Sequence, residues 1–148
     1  MFSFLKGKSP VYPRESKWAV INGHHDGKAM FLRRNESASD LARHPDYRFR
    51  VGVAVPLRAP NEHGLPGTAE IEQLNVIEES LVSRLESEQR SLHVLAITTG
   101  GMREFIFYTR DHVFSQTVFE ALRDEVSSHQ LQAYIAEDPK WSLYRQFA

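Results

Sequence analysis

The sequence predicts an α+β fold of the ferredoxin-like kind, an antiparallel sheet with two helices on one face. Three observations predict it. Two strand-like runs meet at Gly100-Gly101 inside Leu92–Arg110, LHVLAITTGGMREFIFYTR. Two other segments repeat apolar residues at steps of three and four. From Tyr47 onward the elements then follow one another as strand, helix, strand, strand, helix, strand, the split βαβ order.

Taken from the start, residues 1–16 hold two prolines and several charges. They read as an irregular arm whose Phe2, Phe4 and Leu5 dock on a single domain spanning 17–148. Lys17–Ile21 and Ala29–Arg34 are short strands around NGHHDGK, a turn by composition because Asn, Asp and Gly tolerate unusual backbone angles. They form a second, peripheral hairpin. Asn35–Asp46 is a polar connection with one helical turn around Ala38–Ala42. Tyr47–Pro56 alternates, with Tyr47, Phe49, Val51, Val53 and Val55 on one side and Arg48, Arg50, Gly52 and Ala54 on the other, so it is a strand with one buried face.

Leu57–Gly67 is a loop. Thr68 is placed to cap the next helix, with Glu70 and Glu72 in its first turns where the helix dipole favours negative charge. Ile71, Leu74, Ile77, Leu81 and Leu85 form its apolar stripe, and it ends near Ser87. Asp111 caps a second helix carrying Phe114, Val118, Leu122 and Val126. Leu131–Ala136 is the last strand, and Asp138-Pro139 supplies a cap and first position for a C-terminal helix bearing Trp141, Tyr144 and Phe147.

In the central hairpin the glycine pair suits a two-residue turn that needs positive φ. Thr99 then faces Met102, Thr98 faces Arg103, Ala96 faces Phe105, Val94 faces Phe107 and His93 faces Tyr108. One face holds Leu92, Val94, Ala96, Phe105 and Phe107; the other holds Leu95, Ile97, Met102 and Ile106 with Glu104, His93 and Tyr108. Both faces are apolar near their middle, so each needs a cover. The helices cover one. The N-terminal hairpin, the C-terminal helix or a second copy in a homodimer covers the other.

Composition narrows the function classes. With no cysteine there is no disulfide, thiolate metal site or cysteine nucleophile. The net charge of −1, from 18 basic and 19 acidic residues, gives no global field for nucleic acid or membrane. No apolar run is long enough to span a bilayer and no signal-peptide pattern opens the chain, so a cytoplasmic protein is expected. No Gly-x-Ser-x-Gly elbow, phosphate-binding loop, dinucleotide fingerprint or His-Glu-x-x-His helix occurs, and neither catalytic residues nor a cofactor are assigned.

Gly64-Leu65-Pro66 before a Leu/Glu-patterned helix, Thr98-Thr99-Gly100-Gly101-Met102-Arg103 with Tyr108, and Asp138-Pro139-Lys140-Trp141-Ser142-Leu143-Tyr144 together resemble a bacterial family catalogued as a domain of unknown function. The resemblance covers most of the chain after Trp18. That family is distantly similar in its α/β sandwich to the regulator of ribonuclease E activity B, which inhibits an RNA-degrading enzyme by binding it. This chain lacks that regulator's strongly acidic character. The resemblance implies a fold and a recognition role, and no catalytic residue to carry over.

Several clusters are candidate sites. Thr98, Thr99, Gly100, Gly101 and Arg103 form an anion site if backbone N–H groups and hydroxyls surround a phosphate or carboxylate that Arg103 grips with two donors; otherwise they are a glycine turn whose arginine pairs with an acid. Phe105 and Phe107 stand on the strand where RNA-recognition domains place stacking aromatics, although Glu104 occupies that motif's glycine position and both rings also fit a core. His24-His25-Asp26 bind a metal only with help from His63 or His44, and no metal is expected. His93 and Tyr108 form an acid–base pair only if they line a pocket. The combined expectation is a binding or regulatory module for a protein partner, touching it through Thr98–Arg103 and the Gly64-Leu65-Pro66 loop. The competing expectation is a small metal-independent enzyme or nucleotide-binding domain using Arg103 and a histidine.

Overall fold

The computed structural model describes residues 12–148. The proposed docking of Phe2, Phe4 and Leu5 lies outside them. The elements are β1 (Trp18–His25), β2 (Lys28–Asn35), β3 (Phe49–Pro56), α1 (Thr68–Leu85), β4 (Ser91–Thr99), β5 (Met102–Thr109), α2 (His112–Glu125), β6 (Gln132–Glu137) and α3 (Ser142–Gln146), with 3₁₀ turns at Glu36–Ala38, Leu41–Arg43 and Ser87–Gln89. The six strands make one antiparallel sheet in the order β1-β2-β4-β5-β3-β6. Its last four strands have the ferredoxin-like order.

The N-terminal hairpin is longer than its composition suggests, because only Asp26 and Gly27 make the turn. Both have positive φ, 51° and 77°, as a two-residue turn matched to strand twist requires. The hairpin does not cover a face. It extends the sheet beside β4, from Met30 opposite Thr99 to Arg34 opposite Leu95.

Helices α1 and α2 pack Leu74, Ile77, Leu81, Leu85, Val118, Phe119 and Leu122 on Val51, Val53, Val55, Ala96, Phe105 and Phe107. The α1 stripe is rotated from the predicted one: Ile71 is 38% exposed and Glu70 is buried. The reason is polar, because the Glu70 carboxylate accepts the N–H groups of Arg58 and Ala59 at 2.6 and 3.2 Å. The cap is also one residue earlier than expected, since Gly67 occupies that position and Thr68 is already helical. Asp111 caps α2 as its sequence predicts, its Oδ1 accepting the Phe114 N–H at 3.0 Å.

The second face is covered by the chain's own ends of elements. Ala38, Leu41 and Ala42 from the 3₁₀ turns, with Trp141 and Tyr144 near the C-terminus, pack on Leu32, Leu92, Val94, Leu95, Ile106 and Tyr108. Tyr47 joins this second core instead of the valine row, because it precedes β3; its hydroxyl donates to Gln89 O at 2.5 Å. Trp141 lies flat on Tyr108, with ring centroids 4.1 Å apart and planes 8° apart. Its Nε1–H donates to Tyr47 O at 2.7 Å.

Helix α3 begins at Ser142, later than the Asp138-Pro139 pair implies, because Trp141 is left-handed (φ 54°) and Pro139 stays in the preceding turn. Asp138 still holds the helix start. It accepts the Ser142 and Leu143 N–H groups at 2.8 and 3.3 Å, the Tyr108 hydroxyl at 2.7 Å and Arg50 Nη1 at 2.7 Å. Burial alone would raise its pKa, but these donors outweigh burial and hold the carboxyl below its ordinary value.

The central hairpin departs from its predicted pairing at one residue. Pairing runs as expected from Thr99–Met102 to Leu95–Ile106, then shifts, so that His93 faces Phe107 and Leu92 faces Tyr108. Val94 is the extra residue of a β-bulge, and it and Leu95 both enter the second core. The proposed His93–Tyr108 pair is therefore not formed. His93 lies on the helix side, stacked on Phe107 at 4.6 Å and 5.0 Å from the Trp18 ring, and its Nε2–H donates to Leu95 O at 3.0 Å.

Candidate functional site

Three turns meet at one end of the sheet. Gly101 donates its N–H to Gly64 O at 3.1 Å, and Leu57 donates to Gly101 O at 2.8 Å. Thr99 Oγ1 donates to Ala29 O at 2.9 Å, tying the tip of β4–β5 to the start of β2. The Pro60–Gly67 loop is itself preformed: Asn61 Oδ1 accepts the N–H groups of His63 and Leu65 at 2.8 and 3.0 Å. An open depression of about 360 Å³ lies among these turns, with Lys28, Asn61, Glu62 and His63 on its rim and Gly100-Gly101 in its wall.

Gly64 is the tightest point. Its φ is +76°, and a Cβ there would lie 2.9 Å from Gly101 N. We expect Gly64→Ala to lose roughly 1–3 kcal/mol of stability and to loosen the tip, measured by urea unfolding together with amide exchange at Gly100 and Gly101. Unchanged exchange would show that the two loops are not mechanically joined.

The five residues assigned to an anion site do not share one surface. Gly100 and Gly101 belong to the tip, and the Gly101 N–H is already used by Gly64. Thr98 and Arg103 face each other across the hairpin on the helix side, where Arg103 Nε donates to Thr98 Oγ1 at 2.8 Å. Burial, then the charge of Arg33, pulls the Arg103 pKa below its ordinary value, while Glu78 and Glu70 act the other way. Arg103 remains a cation. Arg33 is paired with Glu78 at 2.7 Å.

Phe105 and Phe107 are 0% exposed and packed beneath α1 and α2. No base reaches them, so the stacking role is excluded by which way the strand faces. Of the histidines proposed for a metal, His25 sits 3.3 Å from Asp26 on an exposed turn and His44 lies 3.8 Å from Asp46. Among the described residues no group of three metal-capable side chains gathers.

A polar cluster that periodicity does not disclose lies at the N-terminal end of α1. His129 Nε2 and Glu70 Oε2 are 2.6 Å apart and buried, and His129 Nδ1 is 3.0 Å from Ser128 Oγ. Because an ionised carboxylate only accepts, Nε2 carries the proton that faces Glu70. Burial would raise the Glu70 pKa; the Arg58 N–H, His129 and the Ala59 N–H together hold it below its ordinary value. The cluster walls an open groove of about 770 Å³ between Pro56–Arg58 and Arg123–Gln132. The signal available in sequence was a glutamate at the inward position of a helix, which fits a buried polar partner as well as it fits a first-turn acid.

Among the described residues no helix is long and apolar enough to cross a membrane. Neither the curated proteins nor the solved structures give a match to this chain. Residues 16–148 match the model of a family of unknown function, DUF695, and the chain belongs to that family.

Proposed function

We propose that this DUF695 chain acts by recognising a protein partner through the end of the sheet where the β1–β2 turn, the Pro60–Gly67 loop and the Gly100-Gly101 tip meet. The observation that carries this reading is the set of hydrogen bonds joining the three turns, above all Gly101 N–H to Gly64 O. Segments fixed in this way lose little conformational freedom on binding, which favours affinity without requiring an enclosed pocket. The exposed rim offers both signs of charge, from Lys28 and Glu62, beside the His63 ring. The resemblance to the regulator of ribonuclease E activity B, which works by binding another protein, points in the same direction. The bacterial source implied by that resemblance, and the cytoplasmic setting expected from the sequence, belong to the same proposal.

Expected in capture from host lysate is a stoichiometric protein partner that survives ribonuclease treatment. It is lost when Lys28 and His63 are both changed to glutamate, with the melting temperature unchanged. Retention by the double variant would move the contact elsewhere, and the absence of any partner would remove the reading.

A second reading is favoured by Arg103, which donates Nε to Thr98 and makes no ion pair among the described residues. Its two terminal nitrogens suit a small anion. Arg103→Ala then removes the amide shifts that phosphate causes at Thr98 and Thr99 while leaving the ligand-free protein folded.

A further inference from the structure

We infer that the groove between Pro56–Arg58 and Arg123–Gln132 is a binding site for a phosphate monoester with an apolar body, separate from the sheet-end surface and from Arg103. The groove is the more spacious of the two depressions described above, and its chemistry is of two kinds. Leu57, Val126 and Leu131 supply apolar lining, while Arg58 and Arg123 supply two guanidinium groups, neither of which has an ion-pair partner among the described residues.

The groove is built rather than incidental. Arg58 is held at both ends: its N–H is bound by Glu70 at 2.6 Å, and its Nη1 donates to Ser128 O at 3.2 Å across the groove. That leaves most of its five N–H donors for a ligand. Arg123 lies over the Phe119 ring at 5.5 Å, a contact that restrains a cation without neutralising it. Among the described residues no acidic side chain lines the groove. Glu70 lies behind it, buried, with its oxygens committed to two amides and the His129 ring.

Two unpaired guanidinium groups carry a charge that matches a dianionic phosphate better than a singly charged carboxylate, and arginine's fork fits phosphate oxygens in pairs. Ser127, Gln130 and Gln132 add hydrogen-bonding side chains around the mouth. The apolar lining calls for a ligand larger than inorganic phosphate. A phenyl-sized substituent is a suitable probe of that part.

The test uses the full chain, amide NMR and titration calorimetry with inorganic phosphate, phenyl phosphate and benzoate at low salt. Phenyl phosphate is expected to saturate below ~10 mM, to bind more tightly than phosphate or benzoate, and to shift amides from Ser127 to Leu131. Arg58→Ala and Arg123→Ala each weaken it about tenfold, whereas Arg103→Ala leaves it unchanged. Failure to saturate overturns the inference, as do shifts confined to Gly100 and Gly101 or affinity equal to that of benzoate. The map of shifted amides comes from the unsubstituted protein, so the result stands even if an arginine variant folds poorly.

Discussion

Replacing Trp141 with alanine is expected to destabilise the fold by about 3–5 kcal/mol, the range for emptying a fully buried aromatic site. Trp141 is 0% exposed, and three losses coincide there. The ring leaves its stack on Tyr108 and its edge contact with Tyr144 at 5.4 Å. Tyr47 O loses the indole donor, and the second core loses its largest side chain. For a chain of this size the change corresponds to a fall in melting temperature of about 10 °C or somewhat more. Trp141→Phe restores most of the volume but not the donor, and is expected to cost about 1–3 kcal/mol. Urea unfolding of both variants separates the packing from the hydrogen bond. A loss below about 1 kcal/mol for the alanine variant would show that α3 does not seal this face.

The second large effect is acid sensitivity centred on His93. Burial, followed by the nearby Arg33 charge, pushes its pKa down to about 3, against the hydrogen bond to Leu95 O. Glu78 Oε2 lies 3.7 Å from Nδ1, beyond hydrogen-bond distance, and the same carboxylate is paired through Oε1 with Arg33. The folded protein therefore binds fewer protons than the unfolded chain wherever the pH lies between about 3 and the ordinary histidine value of about 6.5. Stability is full above that upper value and falls as the solution is acidified.

Between pH 7 and pH 4 the expected loss is on the order of 3 kcal/mol. Asp138 and Glu70, both held low, also destabilise on acidification, but only below their ordinary values near 4. The Glu86 carboxyl, raised by burial, has the opposite sign. His93→Phe, which keeps a ring among Trp18, Phe105 and Phe107, isolates the contribution. The slope of unfolding free energy against pH should flatten between pH 6.5 and 4.5. An unchanged slope would show that the imidazole is protonated in the folded state.

Much of the fold is legible in the sequence because it rests on local chemistry. Gly100-Gly101 dictates a tight turn, Asp111 a helix start, and the valines of β3 a buried face, each within a few residues. The departures come from distant groups. Ile71 yields its inward place because amides from residues 58 and 59 need the Glu70 carboxylate. Tyr47, which precedes β3, leaves the valine row for the second core, where the Trp141 indole, far along the chain, binds its carbonyl. The sheet-end surface was half legible: the glycine pair and a loop holding Asn61, Gly64 and two prolines mark two turns, but only folding brings Gly64 against Gly101. The groove was not legible, since Arg58 and Arg123 lie far apart in sequence and neither belongs to a periodic pattern.

The extra residue at Val94 sets the phase of the strand that contains it. Upstream of it, Leu92 meets Tyr108 and His93 meets Phe107; downstream, each residue keeps the partner counted from the glycine turn. Removing Val94 alone would therefore close the ladder without turning any neighbour over. Removing a residue from the stretch between Leu95 and Thr99 would slide the pairing by one position and exchange inside for outside along that part of the strand. The strand thus has one position where shortening is a matter of lost volume. Elsewhere in its paired stretch the same deletion is an inversion, and sequence length along β4 carries information of its own, independent of which side chains are present.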